Sequence, residues 1–146
     1  MRLNRAVEYG IEGLTVLARA GRERSTMLHE VSRATSISES FLSKIFQKLV
    51  RSGLVRSRRG FRGGFFLARP ASQITLREVI EALQGPIAFP VVQRVSPPSQ
   101  MADPAARGLL HQALERAQAR VRAVLEETTV ADLIANGFAG SREKLV

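Results

Sequence analysis

The chain contains no cysteine. Disulfides, thiol nucleophiles, zinc–thiolate sites and cysteine-ligated iron–sulfur clusters are therefore outside its chemistry. Histidine is nearly as scarce, with only His29 and His111 in the chain. A conventional metal site or an imidazole-based catalytic site would have to be built from very little. No paired-carboxylate spacing and no activated-nucleophile motif takes their place, so the sequence does not read as an enzyme. No apolar run approaches the ~20 residues that span a bilayer. The opening Met1-Arg2-Leu3-Asn4-Arg5 leads into a charged amphipathic pattern and not into the apolar region of a signal peptide. The expected location is cytoplasmic. Internal repeats and low-complexity tracts are also missing.

What is present is positive charge, unevenly placed. The 146 residues carry a net charge of +9 and are 45% hydrophobic, enough for a real core. Residues 1–69 hold fourteen Arg and Lys against five acids, an excess equal to the charge of the whole chain. Residues 70–146 hold eight of each sign. A basic half joined to a neutral half has the charge layout of a polyanion-binding module beside a module with another job.

The periodicity predicts a mostly helical fold. Leu3, Val7, Gly10, Ile11, Leu14, Leu17 and Ala18 recur at helical steps, giving a helix over 4–20 with Asn4 as a candidate N-cap. After the polar turn 21–25, Thr26 is placed to cap a short helix through Ala34, with Leu28 and Val31 facing inward. Ser38 is placed to cap a third helix from Glu39 to about Ser52. Its apolar stripe is Phe41, Leu42, Ile45, Phe46, Leu49 and Val50, and Gly53 is the candidate C-cap. Leu54–Arg58 and Phe65–Ala68 flank the glycine-rich reversal 59–64 and read as a β-hairpin. Thr75-x-x-Glu78 is a capping box that opens a helix to about Leu83, and Gly85-Pro86 stops it. Pro86, Pro90, Pro97 and Pro98 mark 86–103 as a connecting loop. Asp103-Pro104 then starts a helix of about 23 residues, some 35 Å long. Thr129-x-x-Asp132 caps a last short turn before Asn136. The expected domains are a DNA-binding unit over 1–85, the loop 86–103, a dimerisation region over 104–136 and a tail over 137–146.

Three short helices followed by a hairpin are the element order of a winged helix-turn-helix. On the third helix Ser40, Ser43, Lys44, Gln47, Lys48 and Arg51 oppose the apolar stripe, and Ser38 stands at its start. A helix laid in the major groove needs that division, with an apolar back for packing and a polar front for phosphates and base edges. Arg56, Arg58, Arg59 and Arg62 crowd onto the hairpin around a tip with little side-chain bulk. Guanidinium groups on a slim hairpin suit a narrow minor groove, where the negative potential is strongest. The glycines do not form a nucleotide-binding P-loop, because Arg59-Gly60-x-x-Gly63-Gly64 lacks the Lys-Ser/Thr and precedes a strand. On the last long helix Leu110, Leu114, Ala117, Val121, Val124 and Leu125 form a narrow spine near heptad spacing, as at a helix–helix seam.

Met1-Arg2-Leu3, Tyr9-Gly10, the pattern Leu28…Val31…Ile37-Ser38…Phe41-Leu42…Leu49…Gly53-Leu54-Val55, the wing Ser57-Arg58-Arg59-Gly60-x-x-Gly63-Gly64-Phe65 and Ile74-Thr75-Leu76…Val79-Ile80 resemble the IscR/NsrR/CymR-type regulators, often called the Rrf-two family. Thr129-Val130-Ala131-Asp132-Leu133 fits the end of that pattern. The resemblance covers roughly residues 1–135 and is weak over 86–104. It implies a homodimer whose long helices pair, with each winged helix reading half of a palindrome in double-stranded DNA. It also implies that Arg59 is the wing arginine of the minor groove, and that Ser38, Ser40 and Lys44 lie on the recognition helix. Many members hold an iron–sulfur cluster on three cysteines in the loop before the long helix. This loop has none. His111 falls where some members supply a histidine ligand, but one histidine holds no cluster, and the expectation is no cofactor. A non-regulatory nucleoid-type DNA binder and a winged helix used for protein docking remain as alternative readings.

Overall fold

The computed structural model describes residues 2–88 and 102–135. Most of the loop 86–103 and the tail 137–146 therefore lie outside the described residues. The first helix, α1 (Arg5–Ala20), opens where the Asn4 side chain accepts from the Val7 N–H at 3.0 Å. Its Val7, Leu14 and Leu17 are buried. Two glycines on that face let neighbours approach closely. A Cβ on Gly10 would collide with Leu83, and one on Gly13 would sit 3.1 Å from the Phe46 ring.

α2 (Leu28–Thr35) and α3 (Glu39–Arg51) follow, joined by a tight turn in which Ile37 is buried. The start of α2 departs from expectation. Thr26 does not cap it, because the Thr26 backbone is taken by the wing. Its N–H donates to the Phe65 carbonyl and its carbonyl accepts from the Phe65 N–H, both at 2.8 Å. α2 begins one residue later, after Met27, whose N–H donates to the Glu30 carboxylate at 2.7 Å. α3 begins at Ser38, whose hydroxyl accepts from the Phe41 N–H at 3.4 Å. At its far end Ser52 is the cap and Gly53 is the next residue, at φ +78. The Gly53 N–H bonds the Val50 carbonyl and the Leu54 N–H bonds the Leu49 carbonyl. This is the Schellman arrangement, which favours a residue without a Cβ at that position.

The wing is an antiparallel pair, β1 (Val55–Arg58) and β2 (Gly64–Leu67), with Val55 opposite Leu67 and Arg58 opposite Gly64. Side chains alternate across it. Val55 and Leu67 enter the core, and Phe65 stacks on the buried Phe46 ring with centroids 4.9 Å apart. Arg56, Arg58 and Phe66 share the opposite face. A 3-10 turn (Ala71–Gln73) leads to α4 (Leu76–Gln84), opened by the expected capping box of Thr75 and Glu78. α1 packs on α2, α3, α4 and β2 around one core that includes Phe46, Leu42, Leu49, Ile74 and Val79.

α5 (Pro104–Glu127) starts at Asp103, whose carboxylate accepts from the Ala105 N–H at 2.9 Å. It has 24 residues, about 36 Å at 1.5 Å each. None of them is fully buried. Only its C-terminal part is fastened to the core. Val121 and Leu125 pack against it, Arg77 of α4 reaches Glu126 at 3.4 Å, and both Nε and Nη2 of Arg122 donate to the Ile87 carbonyl at 3.1 and 2.7 Å. After α5 the chain pairs again with the capping-box segment, as Leu76 N–H bonds the Thr128 carbonyl and Val130 N–H the Ile74 carbonyl. A final helical stretch over 130–135 is capped by Thr129 and Asp132 as expected. The fold is a mostly helical winged helix-turn-helix with a long C-terminal helix. Among the described residues no helix is long and apolar enough to cross a membrane.

Candidate nucleic-acid interface

α3 turns its polar residues outward as its periodicity predicts. Ser38, Ser40, Lys44, Gln47, Lys48 and Arg51 are exposed and Ser43 is half-buried. The Ser38 and Ser40 hydroxyls lie 3.3 Å apart at the start of the helix, where the positive end of the dipole favours an anion. The inward stripe is narrower than expected. Leu42, Ile45, Phe46 and Leu49 are buried, but Phe41 is 59% exposed. It sits at the edge where α3 passes α1, with its ring edge-on to Tyr9 at 6.2 Å. Together these rings floor an open groove of about 300 Å³ rimmed by Arg5, Lys44 and Lys48. Arg5 was not singled out from the sequence. Only the docking of α1 on α3 brings it beside the two lysines.

On the wing, Arg56, Arg58, Arg59 and Arg62 are all exposed. Arg58 lies over the Phe66 ring at 5.1 Å, the same-face neighbour that the strand register supplies. The tip is a four-residue turn closed by the Gly63 N–H on the Gly60 carbonyl at 2.9 Å. Its central residues are Phe61 and Arg62, and Arg62 has φ +60. That left-handed conformation costs an L-residue about 1–2 kcal/mol. Gly63 and Gly64 are needed for space. A Cβ on Gly63 would meet the Arg58 carbonyl at 2.6 Å, and one on Gly64, at φ +139, would meet the Thr26 carbonyl at 2.5 Å.

Some of the basic residues are tied within the fold. Arg24 is held by Glu30 at 2.8 Å, Arg69 by Glu78 at 2.8 Å, and Arg77 by Glu81 and Glu126 at 3.4 Å each. Arg22 donates to the Leu67 and Ala68 carbonyls at 3.3 and 3.1 Å, which ties the α1–α2 turn to the end of the wing. Lys44, Lys48 and Arg51 on α3, with Arg56 and Arg59 on the wing, have no carboxylate partner among the described residues. Two of these carboxylates, Glu30 and Glu78, titrate below their ordinary value. The Met27 N–H, against a lesser effect of burial, and then Arg24 keep Glu30 below the usual carboxylate range. Burial alone would raise Glu78, but the Thr75 N–H and the Arg69 guanidinium outweigh it and bring it below its ordinary value.

The profile of a family described as iron-dependent transcriptional regulators, Rrf2, matches residues 3–136. The chain belongs to the Rrf2 family. Members are transcriptional regulators and not enzymes. The regulator CymR of Bacillus subtilis is 32% identical over 135 residues, covering 91% of this chain and 89% of that protein. The regulator IscR of Cereibacter sphaeroides is 32% identical over 138 residues, covering 93% and 88%. A match to protein aau3 of Rhizobium meliloti, 42% identical over 89 residues, spans 61% of this chain and 57% of that one. Among solved structures, that of B. subtilis CymR superposes with a TM-score of 0.74 at 29% identity, over 92% of this chain and 97% of that one. The IscR of T. potens shares the fold, with a TM-score of 0.70 at 23% identity over 94% and 88%.

The residues present do not fit an iron–sulfur cluster. The Rrf2 chain described here has no thiolate to offer, and its described residues contain no cluster of three His, Asp or Glu that could hold a metal. His111 lies on α5 with Nε2 3.1 Å from the Glu115 carboxylate, a partner one turn away on its own helix.

Of the residues expected at a dimer seam, the structure separates two kinds. Leu110, Ala117 and Val124 are exposed and Leu114 is half-buried. Val121 and Leu125 turn toward their own core. Leu109, 69% exposed and not foreseen, joins the outward face.

Proposed function

We propose that this Rrf2 protein is a cytoplasmic, homodimeric, sequence-specific DNA-binding regulator, acting most simply as a repressor. α3 lies in the major groove of each half-site, and Arg59 of each wing enters the adjacent minor groove. The observation that carries this reading is the gathering of cations. Lys44, Lys48 and Arg51 on the outer face of α3 and Arg56, Arg58, Arg59 and Arg62 on the wing stand exposed, with no carboxylate partner among the described residues. Like charges left together without counter-charges favour a polyanion. In this reading Lys44, Lys48, Arg51, Arg56 and Arg58 take phosphates, while Ser38, Ser40, Ser43 and Gln47 lie nearest the base edges. α5 joins two copies through Leu110, Ala117, Val124 and Leu109, and fixes two heads about 34 Å apart, one turn of duplex.

No iron–sulfur cluster takes part, and any signal reaches the protein by another route. Selection of bound sequences from a random duplex pool tests the reading. The expected product is one palindrome, bound about 10³-fold or more over random duplex with steep salt dependence. Equal affinity for random DNA would replace it with a nucleoid-type binder, and absence of DNA affinity with a docking module. Arg59→Ala is expected to weaken binding most at sites with A·T-rich minor grooves.

A further inference from the structure

Phe61 is the most exposed large apolar side chain among the described residues, at 93%. It occupies a central position of the wing-tip turn, the outermost point of the hairpin. A lone exposed leucine or valine on a surface needs no account, but a phenylalanine ring on the tip of a cationic hairpin does. Nothing in the fold uses this ring. It makes no core contact and closes no turn, and the Gly60–Gly63 hydrogen bond would form with any residue there. Two features hold it ready. The Arg62 guanidinium lies over its ring at 5.5 Å, and Arg62 adopts the left-handed conformation, which fixes how the two side chains leave the turn. Glycines on both sides, Gly60 and Gly63, leave the tip thin around one flat ring.

We propose that Phe61 is a specificity-determining wedge that enters the minor groove beside Arg59 and partly unstacks one base step. The inference rests on the groove assignment of the wing made above. The chemistry matches on both counts. The minor groove is about 6 Å wide, which admits a flat ring edge-on. Proteins that use it commonly drive an apolar side chain between base steps and kink the duplex toward the major groove. The surrounding Arg58 and Arg62 hold the wing to the flanking phosphates whether or not the step is opened. Pyrimidine–purine steps unstack most easily, so the wedge selects TA or CA/TG steps at a position that no hydrogen bond reads. In a dimer the two wings place one such step symmetrically on either side of the dyad.

The test uses the full-length dimer and the duplex that it selects from a random pool. The fluorescent adenine analogue 2-aminopurine is placed in turn at the steps flanking each half-site. Wild-type protein is expected to raise its fluorescence at one step per half-site and to shorten the end-to-end distance of the duplex. Phe61→Ala removes both signals and weakens binding about tenfold, with the salt slope unchanged, because no phosphate contact is lost. Phe61→Leu keeps most of each, since a branched apolar chain still wedges. Arg59→Ala differs by weakening binding most where the flanking minor groove is A·T-rich, with the fluorescence signal at the opened step retained. Unchanged fluorescence and bend on Phe61→Ala, with Arg59→Ala still weakening binding, overturns the wedge and leaves the groove assignment standing. If Arg59→Ala is also silent, the groove assignment itself fails. Thermal unfolding of both variants is expected to match wild type, because the ring lies in solvent.

Discussion

The head and the long helix of this protein are both helical, yet they are built on opposite plans. α1, α3 and α4 each bury a continuous stripe: Val7, Leu14 and Leu17, then Leu42, Ile45, Phe46 and Leu49, then Val79, Ile80 and Leu83. α5 is longer than any of these and buries no residue completely. Its apolar side chains Leu109, Leu110 and Val124 stand in water, at 69%, 41% and 60% exposure. A helix that long gains most of its stability from packing and not from propensity. The core of the head closes within one chain, with Val130, Val121 and Leu125 supplied from the C-terminal region, whereas α5 leaves apolar side chains uncovered among the described residues. The charge divides at nearly the same place, with the excess cations in the head and balance beyond it. A head that carries the chemistry and a helix that sets the spacing would need this separation.

The largest effect that could break the comparison is in the core. Phe46 is fully buried, stacked on Phe65 and covered by Gly13. Phe46→Ala is expected to cost about 3–5 kcal/mol in denaturant unfolding. Leu109→Ala, followed at a concentration where the chains are monomeric, is expected to cost no more than about 0.5 kcal/mol. Similar losses for the two would show that α5 has a core of its own. The next effect falls on association. Leu110→Asp places a charge on the outward face and is expected to weaken dimerisation by about 100-fold or more, as for a central interface residue. Sedimentation across a concentration series reads it directly. A dimer of undiminished affinity would mean that the outward face of α5 is not the seam.

The sequence showed the helix starts well, because caps are local. Asn4, Ser38, Thr75 with Glu78, Asp103, and Thr129 with Asp132 each reach no further than three residues, and each stands where the spacing put it. The departures all involve partners far along the chain. Thr26 is a plausible cap by type, but a backbone pairing with Phe65 claims it, and periodicity carries no trace of that. Phe41 belongs to the apolar stripe of α3, but the stripe does not reveal which of its edges α1 leaves uncovered. Val121 and Leu125 fit a heptad seam as well as Leu110 does; only the docking of α4 decides that they face inward. Arg22 counts as one more cation in the sequence, and its use as a tie to carbonyls 45 and 46 residues away is invisible there. The candidate interface was legible in its residue types because DNA-reading surfaces are defined by charge and polarity. Arg5 and Phe61 were not assigned to it, since only the fold sets Arg5 beside Lys44 and Lys48 and Phe61 at the exposed turn of the wing.

Two smaller effects sharpen the contrast from the side of the head, at the junction where the wing meets α4. Thr75 accepts from the Glu78 N–H at 3.2 Å. Thr75→Ala is expected to lower stability by about 1 kcal/mol, the usual cost of losing an N-cap. A loss well above that in thermal unfolding would mean that the cap also orders the backbone pairing of 74–76 with 128–130, whose own hydrogen bonds the substitution leaves in place.

The smallest effect concerns acid. Glu78 closes the same capping box, accepting from the Thr75 N–H at 3.0 Å and from Arg69 at 2.8 Å. Its carboxyl titrates below the ordinary value of 4.5 in the folded chain, because those donors outweigh the effect of burial. The unfolded chain therefore takes up this proton first as the pH falls. The stabilisation is fully present above pH 4.5 and is lost progressively below it, as the pH drops through the folded value. Glu78→Gln keeps the shape but not the charge. The variant is expected to be slightly less stable than wild type at neutral pH and to converge on it in acid, with a shallower dependence on pH below 4.5. Because the Glu78 side chain is about one-third exposed, solvent screening keeps the difference small. Parallel unfolding curves for the two proteins from neutral to acid pH would show that the Arg69–Glu78 pair and the charge of the capping box add nothing to the stability of the head.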